Sequence, residues 1–258
     1  MTFLLNCRKV NSADQVKRVE HMKIRCVWEH NGEDTLLYAD NFPGAFTRGA
    51  SREAALEKMQ KEITSYQRWA DMVEGVTENL EPEIIQEKSS TLDIRNADSD
   101  VLFDKEKEPF TREEYQYLKA LVLKSAEDFL KLYEAVQDKD KSVFPVRQCF
   151  YGEVPRTARE MYEHTKCVNS YYFGEIDVPA DREGTILECR VRGFALLEQQ
   201  PDFLENKVFL GSYEEEWSLR KVLRRFLWHD RIHARAMYRM AKQTFGEASV
   251  PDVFRFEK

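Results

Sequence analysis

"FLWHDRIHARAMYRM", residues 226–240, holds two of the chain's five histidines. His229 and His233 fall in line with Phe226, Ala236, Met237 and Met240 at three- and four-residue steps. That spacing predicts a helix whose apolar stripe includes both imidazoles. Upstream, Leu219 and Val222 continue the stripe, and "SYEE" (Ser212–Glu215) has the form of a capping box. The helix is therefore expected to run from about Ser212 to Phe245, its acidic start and basic later turns complementing the helix dipole.

Three more helical patterns precede it. "TREE" (Thr111–Glu114) opens one that reaches about Gln137, with Tyr115, Leu118, Val122, Phe129, Tyr133 and Val136 on one face. "TARE" (Thr157–Glu160) opens the next, which carries Met161, His164, Val168 and Tyr172 along one side. After "DVPADREG", Ile186, Leu187, Val191, Phe194 and Leu197 form the apolar face of a third. Four amphipathic helices joined by connections predict a four-helix bundle over residues 110–258.

The first part of the chain reads differently. "KIRCVWE" (23–29) and "TLLYA" (35–39) have the short, β-branched and aromatic character of strands, with the turn residues "HNGED" between them. A third short strand fits around Ala45–Thr47, Ser51 offers an N-cap to a helix with Ala54, Leu56, Met59, Ile63, Tyr66 and Trp69 on its stripe, and "PEIIQEK" reads as a fourth strand. The order is β-β-β-α-β, and the fold class is α+β. "LLYADNFPGAFTRGASREAALEKMQKEI" (36–63) resembles the HicB-like antitoxin domain, in which a tight Pro-Gly turn leads into a Ser-capped helix. The resemblance spans about residues 21–96 and implies a protein partner, toxin-like or other. HicB antitoxins usually continue into a DNA-binding segment, and nothing of that kind follows here. Residues 1–20 read as an N-terminal extension, and the acidic, weakly periodic 97–109 ("ADSDVLFDKEKEP") as a linker.

Net charge is −7, with both signs mixed along the chain, so no nucleic-acid partner is expected. No stretch approaches the ~18 uninterrupted apolar residues of a membrane span, and a cytoplasmic protein is expected. Five cysteines without a C-x-x-C pair argue for free thiols. Cys167, three residues after His164, reads as a small buried residue or as a neighbour on the same helix face.

Histidines four apart lie roughly 6 Å apart along a helix axis, a span that two imidazoles can close onto one metal ion. His164 has the matching position on the second helix. A lone core histidine is satisfied by a carbonyl or carboxylate; three gathered together call for something that binds their lone pairs, and a divalent cation does so. "TAREMYEHTKCVNSYYFGEI" (157–176), followed some sixty residues later by "FLWHDRIHARAMYRM", is similar to the DinB-like family over about residues 110–246. The resemblance implies a four-helix bundle in which His164, His229 and His233 hold the metal. Three neutral ligands leave at least one position open, and imidazole suits zinc, nickel or iron. Some DinB-like proteins are thiol-dependent S-transferases or isomerases, which implies a low-molecular-weight thiol and a small-molecule substrate; hydrolysis is the lesser alternative. The other functional reading is a protein-interaction module whose metal is structural or vestigial. A homodimer is compatible with either.

Further residues carry weaker signals. "HDRIH" has the spacing of the H-E-x-x-H zinc proteases, with Asp230 in place of the glutamate, and reads instead as a carboxylate behind the ligands or at the surface. Arg190 reads as a snorkelling surface arginine or a clamp for a substrate carboxylate. Tyr171 and Tyr172 line a pocket or simply pack. The basic residues of the last helix, among them Arg220, Lys221, Arg224, Arg225, Arg231 and Arg235, read as a solvated face or a subunit contact.

Overall fold

The computed structural model describes residues 22–71 and 80–257; the extension expected over 1–20 and Cys7 lie outside them. Strands β1 (Met22–Asn31), β2 (Asp34–Ala39) and β3 (Phe46–Gly49), helix α1 (Arg52–Trp69) and strand β4 (Leu80–Ser89) follow in the expected order. They form one sheet, β3-β2-β1-β4, antiparallel except for the β1/β4 pair. Side chains alternate across a strand, and here both faces of the β1/β2 pair carry buried residues. Ile24, Cys26, Leu37 and Ala39 point to Met59, Ile63 and Tyr66 of α1, while Val27, Leu36, Tyr38 and Phe46 point away from it. Ser51 caps α1 by accepting from the Ala54 N–H at 3.2 Å.

The second part is helical: α2 (Arg112–Ala135), α3 (Ala158–Gly174), α4 (Ile186–Leu197) and α5 (Leu219–Phe245), packed on one another around a shared apolar core. Two two-residue hairpins interrupt them, β5/β6 (Gln148–Cys149 with Gly152–Glu153) and β7/β8 (Phe209–Leu210 with Glu216–Trp217). Thr111 and Thr157 form the expected capping boxes with Glu114 and Glu160, and Thr185 forms another with Glu188.

Helix α5 begins later than expected. Ser212–Glu214 make a single 3-10 turn, and Tyr213 and Glu214 both have φ of 60°, left-handed backbone that a helix cannot continue. Glu175 holds this turn by accepting the Ser212 N–H at 2.7 Å. The true cap is Ser218, whose hydroxyl accepts from the Lys221 N–H at 3.2 Å. In α4 the stripe is turned by about one residue from its expected phase. Val191 is exposed, while Cys189, Arg190 and Gly193 face inward beside Ile186, Phe194 and Leu197.

What fills the space beside the sheet is α5 itself. Trp228 packs edge-on against Tyr38 and Phe46, with ring centroids 5.8 and 6.1 Å apart. Gly44, at φ +91°, lets the Pro-Gly turn reach the helix; a Cβ there would lie 2.4 Å from the Leu227 Cβ. The segment read as a linker is built into this junction. Val101, Leu102 and Phe103 are buried, and Glu106 accepts from Arg224 of α5 while its backbone carbonyl accepts from Ser218 and Asn206. Apolar residues within an acidic run thus serve as packing.

The same junction corrects the reading of the basic residues. Arg220, Lys221, Arg224, Arg225 and Arg231 are buried, not solvated. Arg231 donates to Glu62 of α1 at 2.8 Å and Arg224 to Glu106 at 3.0 Å, so the arginines join the two parts of one chain. The first part supplies the cover that a solvated helix face would lack.

Candidate metal centre

Helices α3 and α5 bring the three predicted histidines together. One nitrogen from each of His164, His229 and His233 lies within 4.8 Å of the others, and these three are the only such group of possible ligands among the described residues. Ring centroids are 5.1 Å apart for His164/His229, 4.7 Å for His164/His233 and 4.5 Å for His229/His233. His229 and His233 are each 8% exposed, and His164 is half-buried. The i, i+4 spacing sets two rings on one stripe of α5, and the packing of α3 against α5 supplies the third.

Burial governs their protonation. It pushes His233 down to about 3, with His164 and Arg48 adding to the shift. For His229 burial again comes first, followed by His233, His164, Arg225 and Arg190, and the pKa falls well below its ordinary value. His164 is lowered by burial alone. All three are therefore neutral at pH 7, the state in which imidazole binds a metal. His229 Nδ1 is buried without a hydrogen-bond partner, and among the described residues no carboxylate pairs with any of the three rings. Buried polar nitrogens rarely go unpartnered. This donor set, neutral and converging, with one buried nitrogen unsatisfied at His229, fits a divalent cation.

The rings are fixed by aromatic packing rather than by the carboxylates that commonly hold metal-bound imidazoles. Tyr151, from the β5/β6 turn, stacks on His164 at 5.3 Å, and Tyr172 meets His229 edge-on at 6.1 Å. Tyr172 is itself wedged between Trp217 and Phe226. Asp230 points elsewhere. Fully buried, it pairs with Arg190 of α4 at 3.2 Å, and the guanidinium lies 3.8 Å from the centre of the Phe226 ring. Arg190 is thus a core ion-pair partner rather than a snorkelling residue, and Asp230 holds α5 to α4. Cys167 is turned toward Arg182, and the four cysteines of the described residues are free.

The histidines open into a cavity of about 1410 Å³ between the sheet with α1 on one side and α3 with α5 on the other. Its walls mix apolar residues such as Phe144, Met161, Val168 and Ile232 with tyrosines 151, 171 and 172. Arg225 also lines it, one helical turn before His229. It is 9% exposed, it donates to the Ser99 carbonyl at 2.8 Å, and its Nε has no partner. From the sequence Arg225 reads as a surface charge, and neither Tyr151 nor Arg48 stands out. Tyr151 sits in a loop without periodicity, so no local signal pointed to it. No protein-family model, curated protein or solved structure matches the chain. No helix among the described residues is long and apolar enough to cross a membrane.

Proposed function

We propose that the chain is a divalent-metal-dependent enzyme of the DinB-like kind, with His164, His229 and His233 as the metal ligands and a small molecule as substrate. One observation carries the reading: three neutral imidazoles, two of them buried and one, His229, with a buried unpartnered nitrogen, meet in the wall of a large cavity. When bound, a zinc, nickel or iron ion supplies Lewis acidity, which brings the ionisation of a thiol or of water toward neutral pH. The chain's own residues do the rest. Burial keeps the imidazoles free of protons, and the rings of Tyr151 and Tyr172 hold their orientation. Arg225 places a buried positive charge beside His229, which favours an anionic species there.

Thiol-dependent S-transfer is preferred over hydrolysis because of size. A cavity of about 1410 Å³ exceeds the roughly 300–1,000 Å³ of a single-ligand site and has room for a thiol and an electrophile together. For the HicB-like unit the partner we propose is the helical part of the same chain, since the sheet face turned away from α1 packs on Trp228 of α5.

Elemental analysis of untagged protein tests the reading, with circular dichroism on the parent and on the His229→Ala/His233→Ala variant. We expect about one zinc, nickel or iron per chain in the parent and none in a still-folded variant. A parent that takes up no metal even when supplied with it would overturn the proposal.

A further inference from the structure

Six arginines and lysines are buried among the described residues. Five of them hold a carboxylate: Arg190 that of Asp230, Arg220 that of Glu114, Lys221 that of Glu215, Arg224 that of Glu106 and Arg231 that of Glu62. Arg225 is the exception. Among the described residues no carboxylate lies within ion-pair distance of it, and the partner that it has is neutral, the Ser99 carbonyl at 2.8 Å. A guanidinium that has left water without meeting an opposite charge is costly to keep.

Its surroundings supply rings and donors instead of an acid. The guanidinium carbon lies 4.8 Å from the ring centre of Trp228 and 5.5 Å from those of Tyr172 and Trp217. Ring faces offset part of the lost hydration, but they accept few hydrogen bonds. The Arg225 Nε and the Nε1 atoms of Trp217 and Trp228 are all buried without a partner. Three unused N–H donors around one unpaired positive charge make a place for an anion. Arg225 and Trp228 both line the cavity, and His229 follows Arg225 by one helical turn, roughly 6 Å along the axis. Tyr172 spans the two, since its ring also lies 6.1 Å from that of His229.

We propose that Arg225 binds a carboxylate of the substrate against this aromatic wall, with the reacting part of the same molecule one helical turn away at His229. The position of the reacting part rests on the metal-enzyme reading; the carboxylate site does not. One unpaired positive charge calls for one negative charge. Glu215 also lines the cavity, and although it pairs with Lys221 at 2.8 Å it adds acid to this wall, so a phosphate dianion fits less well than a carboxylate. Two coplanar oxygens also match the planar guanidinium. The carboxylate orients the substrate and does not itself react.

Ligand-observed NMR titration of chelator-treated, full-length protein tests this at fixed ionic strength, with benzoate, its neutral isostere benzamide, and phenyl phosphate. Benzoate should bind the parent about tenfold more tightly than benzamide, because a charge-assisted pair replaces a neutral one. Arg225→Gln should bind the two equally, while Arg95→Gln, which removes an exposed charge from the cavity wall, should keep the preference. If circular dichroism shows Arg225→Gln unfolded, Arg225→Lys takes its place: it keeps the charge without the fork and should weaken benzoate severalfold while leaving benzamide unchanged. The preference should persist in His229→Ala/His233→Ala, so failure of the metal reading and failure of the carboxylate site give different results. The proposal is overturned by a parent that does not prefer benzoate, by a preference that Arg225→Gln or Arg225→Lys leaves intact, or by one lost only in the histidine variant. Tighter binding of phenyl phosphate than of benzoate overturns the assignment to a carboxylate.

Discussion

Helix α5 is buried along two sides that treat their polar groups in opposite ways. Toward α1 and the 97–109 segment, Arg231 and Arg224 meet the carboxylates of Glu62 and Glu106. Toward α3, His229 and His233 face another imidazole and no carboxylate. Both sides have left water, so the difference is not one of burial. A buried charge persists only when paired, whereas a buried imidazole can give up its proton and stay neutral. The first side therefore pairs its charges and serves stability, although Arg224 and Arg231 each keep one buried guanidinium nitrogen without a partner. The second keeps lone pairs in reserve and is the place for a ligand.

The largest expected effect comes from breaking the paired side. Burial alone would raise the Glu62 pKa, but Arg231 and Arg235 outweigh it and leave it below the ordinary value. Glu62→Ala strands a buried guanidinium and should cost about 3–5 kcal/mol in urea unfolding. Loss of less than ~1 kcal/mol would show that water reaches the pair and would remove the contrast between the two sides.

Next is the contact that brings the sheet onto α5. Gly44→Ala puts a Cβ into the Leu227 backbone at positive φ and should cost roughly 2–3 kcal/mol, measured as a lowered thermal midpoint. If the two parts pack only loosely, the midpoint will not move.

The unpaired side should show itself in acid. His233 has a folded pKa of about 3 against roughly 6.5 unfolded, so between these values the unfolded chain binds a proton that the folded chain refuses. Stability of the metal-free protein should then fall as pH drops through this window, by about 2 kcal/mol at pH 5 for this residue alone. Glu29 works in the opposite direction, since burial pushes its carboxyl up to about 7 and the folded state gains as pH falls. Comparing the parent with His233→Gln isolates the histidine. A difference that does not change between pH 7 and pH 5 would mean that the ring is solvated.

The smallest effect is expected from an exposed bridge. Asp140 and Arg159 make a two-pronged contact at 2.6 and 2.9 Å, yet both side chains are more than half exposed. Asp140→Ala should cost under ~1 kcal/mol. A larger loss would show that pairing geometry outweighs burial here.

The metal candidates His164, His229 and His233 were legible because helical periodicity is local: a residue's face follows from its spacing to near neighbours. The same rule misplaced Arg190, since a charged residue on a short helix reads as solvent-facing unless its partner is known, and Asp230 lies 40 positions away. Apolar residues off the histidine stripe, Leu223, Leu227, Trp228 and Ile232, were the available sign that α5 has a second buried side. The false start at Ser212 shows the limit of capping motifs. "SYEE" satisfies the pattern, but left-handed backbone at Tyr213 and Glu214, braced by Glu175, ends the turn.

By itself, then, the sequence determined the order of strands and helices, three capped helix starts and the inward phase of the histidine pair, because these depend on neighbours within a few residues. Only tertiary structure decided that the sheet covers α5, that buried arginines join the two parts of the chain, and that Arg48, Tyr151 and Arg239 share one cavity with the histidines. The contacts that join the first part of the chain to α5 link residues some 118 to 190 positions apart, and no local periodicity encodes which distant surface a helix face will meet.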